Sequence, residues 1–100
     1  MFARVARYRF PEERYDDAVA AFSTASEQLR AIEGNAGGYL LVDRDNSTAL
    51  TVTFWENRAA MEASEVRASR LRNEAIGEVA GGVEAVDRCE VALDFSELPA

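Results

Sequence analysis

The spacing of apolar residues changes in a fixed order along this chain, and that order limits the available folds more than any composition figure does. From Phe2 to Phe10 the period is two: Phe2, Arg4, Ala6, Tyr8 and Phe10 point one way, and Ala3, Val5, Arg7 and Arg9 the other, as in a β-strand. Pro11 has no N–H to donate and ends the ladder, and the acids Glu12, Glu13, Asp16 and Asp17 suit the positive end of a helix. From there the spacing is three and four, through Tyr15, Ala18, Val19, Phe22, Ala25, Leu29 and Ile32, one stripe of an amphipathic helix. Gly34, Asn35, Gly37 and Gly38 tolerate backbone angles most residues avoid, so the helix stops near Glu33.

Period two returns in Tyr39 to Arg44 and Thr48 to Glu56, two runs rich in β-branched and aromatic residues. The short polar run Asp45-Asn46-Ser47 between them makes a hairpin the economical reading. Asn57 is suited to cap a second helix from Arg58 to Val79, whose stripe Ala60, Ser64, Ala68, Leu71, Ala75 and Val79 is small-residued and partly polar. Gly81-Gly82 breaks it. Val83 to Phe95 then alternates again, with Val83, Ala85, Cys89, Val91, Leu93 and Phe95 on one side and Asp87 as the exception on that face.

Strand, helix, strand, strand, helix, strand, with no repeat and no dividing linker, predicts one α+β domain over residues 1–100. The arrangement expected is ferredoxin-like βαββαβ, a four-stranded antiparallel sheet with two helices on one face. The other face would carry Val, Leu, Phe and Tyr as a larger apolar patch than a soluble monomer usually leaves bare. A homodimer through that open sheet face is therefore expected.

Eighteen acids against eleven bases, a net charge of −7, lack the basic face that phosphate binding needs, so nucleic acid is excluded as a partner. No apolar run approaches the roughly 20 residues that span a bilayer, and the N-terminus has charges where a secretory signal needs an apolar core; no membrane and a cytoplasmic location are expected. Cys89 is the single cysteine and there is no histidine, so neither an intrachain disulfide nor the commonest metal ligand is available, and no metal site is expected. All eleven bases are arginine, which with abundant alanine points to a GC-rich, bacterial genome.

The stretch GGYLLVDRDNSTALTVTFWENRAAMEA, a glycine-led strand, a hairpin and a strand ending in Trp-Glu-Asn before a helix, resembles the antibiotic biosynthesis monooxygenase domain. The resemblance covers roughly residues 2–95 and implies a dimeric α/β barrel. That family includes oxygenases of polycyclic aromatic compounds that use neither metal nor flavin, haem-degrading enzymes, and small proteins of no assigned activity. The haem-degrading branch is marked by a first-strand asparagine and by a tryptophan and an axial histidine on the second helix. Here the first strand has Arg4, Ala6 and Tyr8, and the two helix places fall near Ser64 and Glu74, so haem degradation is not expected. The resemblance implies, without a cofactor, an oxygenase of a phenolic or quinol-type molecule; the alternative is a non-catalytic homodimeric barrel that binds a small aromatic ligand or stabilises another protein.

A site for a phenolic anion needs groups that stabilise an oxyanion or exchange a proton, and the candidates for substrate binding are Arg4, Tyr8, Tyr39, Trp55, Arg72 and Asn73. Each has a structural reading beside the functional one. Trp55 either closes the sheet as core or walls a pocket between the sheet and the second helix. Arg4, Arg7 and Arg9 either pair with acids such as Asp43, Asp87 or Glu90, or one of them binds an anionic ligand. Arg67, Arg70 and Arg72 with their neighbouring glutamates read as a solvated helix face, and Cys89 as an inert core thiol.

Overall fold

The computed structural model describes residues 1–95. They form β1 (Phe2–Arg9), a 3-10 turn (Glu12–Arg14), α1 (Tyr15–Arg30), β2 (Asn35–Asp43), β3 (Thr48–Trp55), α2 (Arg58–Ala63), α3 (Glu65–Gly77) and β4 (Gly82–Glu90). The sheet order is β2-β3-β1-β4 and every neighbouring pair is antiparallel. This is the expected ferredoxin-like βαββαβ arrangement. No helix among the described residues is long and apolar enough to cross a membrane.

Register sorts the side chains onto two faces. Phe2 lies opposite Trp55, Arg4 opposite Thr53, Ala6 opposite Thr51 and Tyr8 opposite Ala49, and these share the face that the helices cover. Tyr8 meets Phe22 of α1 with ring centroids 4.8 Å apart, at the centre of a core that also holds Phe10, Ala18, Ala25, Ile76 and Val79. Many of the core residues on α1 and α3 are alanines, which brings these two helices close to each other. The opposite face carries Val5, Leu50, Val52, Phe54, Tyr39 and Leu41, of which Tyr39 is 66% and Leu41 49% exposed.

Three details depart from the sequence expectation. The second helix is broken rather than continuous: α2 ends at Ala63, Ser64 is a buried junction, and α3 starts at Glu65. In an unbroken helix the Met61 carbonyl accepts the Glu65 N–H; here it accepts from Arg4 Nη2 at 2.8 Å and from Ser64 Oγ at 2.7 Å. The predicted cap at Asn57 is present, its Oδ1 accepting from the Ala60 N–H at 2.8 Å.

The glycine-rich stretch expected as loop belongs to β2 instead. A bulge between Asn35 and Gly38 accommodates it, with Gly37 at φ +101° and its N–H donated to Asn35 Oδ1. Gly34, at φ +85°, has a second reason to lack a side chain: a Cβ there would lie 2.4 Å from Ala60 Cβ of α2.

β4 ends at Glu90, short of the predicted Phe95, and a register shift beside Arg7 and Tyr8 sets Val83 opposite Tyr8 while Ala85 stays opposite Arg7. Val83 therefore leaves the face that holds Ala85, Asp87 and Cys89. Cys89 is exposed, not buried core, because β4 is an edge strand and nothing among the described residues covers that face.

Candidate functional site

Between α1 and the β2–β3 half of the sheet lies a cavity of about 490 Å³. Val19, Phe22 and Leu29 of α1 and Leu40 of β2 form its apolar lining, with Ser23, Ser26 and Arg30 along the exposed side of α1. Asn35 and Gly38 border it from β2, and Thr51 and Thr53 from β3. Val19 and Leu29 stand on the apolar stripe of α1 but are only half buried, because they face this space rather than the core.

The two threonine hydroxyls are held from behind. Tyr8 Oη and Thr51 Oγ1 are 2.8 Å apart, and the Trp55 Nε1–H donates to Thr53 Oγ1 at 3.1 Å. Both aromatic residues are buried, Trp55 completely. Burial pushes the Tyr8 phenol up to about 12, against the smaller opposing effects of the Thr51 hydrogen bond and of Arg72 and Arg4. Tyr8 is therefore protonated at neutral pH and acts as a hydrogen-bonding group, not as a base.

Next to Trp55, on the side of α2 and α3, sits Arg4. It is 3% exposed, its guanidinium carbon lies 5.4 Å from the indole centroid, and its Nη2 donates to Met61 O, to Ser64 Oγ at 3.1 Å and to Glu65 Oε2 at 2.8 Å. Among the described residues, its Nε and Nη1 have no hydrogen-bond partner, and neither has the buried Nε of Arg72. Desolvation lowers the Arg4 pKa, and Glu65 offsets this in part. Glu65 also binds Arg88 through both nitrogens of its fork; that hydrogen bond, with the charge of Arg4, holds its carboxyl below the usual range.

Of the six candidates, Arg4, Tyr8 and Trp55 are thus gathered with Arg72 of α3 on the helix-covered face of the sheet, beside the two threonines, with Arg4 and Arg72 both within electrostatic reach of Tyr8. Tyr39 borders the cavity from β2, but its ring meets Phe54 edge-on, centroids 6.2 Å apart, on the open face. Asn73 is exposed on α3 and does not line the cavity. Trp55 touches the cavity only through Thr53, so its indole packs as core. The expected acid partners of the β1 arginines are replaced: Arg4 pairs with Glu65 and Arg9 with Glu84, because α3 and the adjacent edge strand bring those acids closer.

Sequence reading missed Thr51, Thr53, Asn35 and the α1 lining. The usable signal was Thr51 and Thr53 themselves, polar residues at alternate positions on the strand face that carries Trp55. The places that haem degradation would require are otherwise occupied. Ser64 is buried against Arg4, Glu74 is exposed on α3, and the chain has no histidine, so these residues do not fit haem.

The sequence matches the antibiotic biosynthesis monooxygenase family over residues 1–69. An uncharacterized protein of Mycobacterium tuberculosis, Rv2557, is 34% identical over 64 residues, which is 64% of this chain and 28% of that protein, so the chain spans well under half the length of this curated relative. Among solved structures, the heme-degrader MhuD of M. tuberculosis, with two hemes bound in its active site, is similar with a TM-score of 0.75 at 19% identity, over 96% of this chain and 100% of that one. SnoaB, a cofactor-independent oxygenase from Streptomyces nogalater, is similar with a TM-score of 0.72 at 13% identity, over 96% and 97%. Rv0793 of M. tuberculosis gives 0.69 at 19% identity, over 96% and 98%. At these identities the structures share a fold, and the family match over more than half the sequence places this chain in the antibiotic biosynthesis monooxygenase family.

Proposed function

We propose that each protomer binds a small, mostly apolar aromatic molecule between α1 and the β2–β3 hairpin, and that the protein is a cofactor-independent oxygenase of a phenolic or quinol-type compound. The observation that carries this reading is the cavity of about 490 Å³, a size usual for small-molecule sites, with an apolar lining and a few convergent polar groups. For an anthrone-like substrate the balance is simple: the ring methylene gives up two hydrogens and gains one oxygen atom of O₂, and the other atom leaves as water. The contribution of this chain is to hold the ring, exclude water and keep cationic Arg4 and Arg72 near the Tyr8–Thr51 pair, where they favour an anionic oxygen.

The second reading, a binding barrel without turnover, is favoured by one feature: among the described residues no carboxylate lines the cavity, and the chain has no histidine, so no strong base from them faces a bound molecule. Oxygen uptake with anthrone-like and hydroquinone compounds, alongside ligand-induced quenching of the sole tryptophan, separates the two. Turnover supports the oxygenase; saturable quenching without oxygen consumption leaves only binding.

The same proposal includes a homodimer through the open sheet face. Val5, Leu50, Val52, Phe54, Tyr39 and Leu41 lie together there, and exposing such a set of large apolar side chains is costly for a monomer.

A further inference from the structure

We infer that the cavity selects ligands by acceptor oxygens, and that Thr51 and Thr53 are the specificity-determining donors. The inference rests on the cavity being the ligand site, as proposed above, and follows from counting protons at the cavity wall. An indole N–H can only donate, so in the 3.1 Å contact with Trp55 Nε1 the Thr53 oxygen accepts. The proton of Thr53 is then left over, and no acceptor for it exists among the described residues, whereas the side chain borders the cavity.

Thr51 follows by a second step. The Tyr8–Thr51 contact is open to either polarity, but Tyr8 is 1% exposed and has no other hydrogen-bond partner among the described residues. If Thr51 donated, the buried phenol proton would be left unpaired, which costs more than leaving free the proton of a half-buried threonine. Tyr8 therefore donates, Thr51 accepts, and the Thr51 proton is also available to the cavity.

Two O–H donors thus stand at alternate positions of β3, about 7 Å apart by strand geometry. The charged lining points the same way. Among the described residues no acid borders this cavity, and its one charged lining residue is Arg30, at the exposed end of α1. The ligand it fits is a ring system with carbonyl or phenolate oxygens turned to the sheet, and a ligand whose polar groups are donors alone leaves both threonine protons unpaired.

Isothermal titration with the full chain tests this using the aryl ketone tetralone, its parent hydrocarbon tetralin, indole as a donor-only ring, and para-nitrophenolate as an anionic acceptor. Tetralone binds about fivefold or more tighter than tetralin or indole, the worth of about one net hydrogen bond. Thr51→Val and Thr53→Val lower that preference and leave tetralin binding unchanged, and Thr53→Ser, which keeps the hydroxyl and the Trp55 contact, restores it. Weakening of para-nitrophenolate alone by Arg30→Gln marks the anion as the better ligand; equal weakening of the ketone marks Arg30 as a general donor, and both support an acceptor-selective site.

Equal binding of tetralone, tetralin and indole, unaffected by either valine, overturns the inference while the cavity remains the ligand site. The cavity-filling Ser26→Trp checks that site directly. Binding that survives it, or no binding of any probe to the wild-type chain, overturns both readings.

Discussion

The Glu65 carboxylate stands 2.8 Å from Arg4 Nη2, and through this pair the first strand is joined to the junction between α2 and α3. Arg4 is almost fully buried, and Glu65 is shared with Arg88, so one acid neutralises two guanidinium groups.

Removing the acid leaves the buried cation with the indole face and two neutral oxygens. Glu65→Ala is expected to lower stability by about 2–3 kcal/mol, and Arg4→Met by less, because that variant removes the desolvated charge itself and leaves Glu65 paired with Arg88. Chemical denaturation midpoints of the two variants check the order.

The pH dependence of this pair has a definite sign. The Glu65 carboxyl is held below its ordinary 4.5 in the folded state, so its contribution is present above that value and is lost as pH falls through the lower folded value. The acid limb of stability against pH should flatten in Glu65→Gln and stay steep in the wild type.

Tyr8 carries the opposite sign. Its phenol is neutral in the fold up to about 12, against 10.0 for an unperturbed tyrosine, so stability from this group is full below 10.0 and declines as pH rises toward 12. Ultraviolet titration of tyrosinate should show one of the three tyrosines ionising late, and Tyr8→Phe should abolish that phase.

Gly34 combines a left-handed backbone with contact against α2. Gly34→Ala is expected to cost about 2 kcal/mol or more, since it adds strain at positive φ to a clash with Ala60. Adding Ala60→Gly relieves only the clash, so thermal melts of the double variant should recover part of the loss.

Val52 lies opposite both Val5 and Tyr39 on the open face. The wild-type chain should sediment at twice its chain mass at micromolar concentration, and Val52→Arg should sediment as a folded monomer, because a buried unpaired cation opposes the sheet-on-sheet contact. A wild-type species at single-chain mass would remove the dimer from the proposal.

Element order, the face of β1 bearing Arg4, Ala6 and Tyr8 and the Asn57 cap could all be read from residue spacing, because period and capping are local properties of the chain, and the family came from the resemblance of the stretch ending in Trp55-Glu56-Asn57. The break at Ser64 could not, since it depends on Arg4 reaching the Met61 carbonyl from 57 residues away. The glycines ahead of Tyr39 gave a misleading signal: their freedom serves a bulge inside a strand as readily as a loop. Cys89 and Tyr39 became exposed because the sheet has one uncovered face, which spacing alone implied but did not assign to either residue.

The sequence by itself determined the βαββαβ order, the absence of histidine, and the position of Trp55 at the end of the third strand. Tertiary structure alone decided that Trp55 is core and that the polar wall of the cavity is Thr51 and Thr53. The physical reason is that a hydroxyl's role depends on which donor its oxygen already serves, and Tyr8 reaches Thr51 across 43 residues through sheet register.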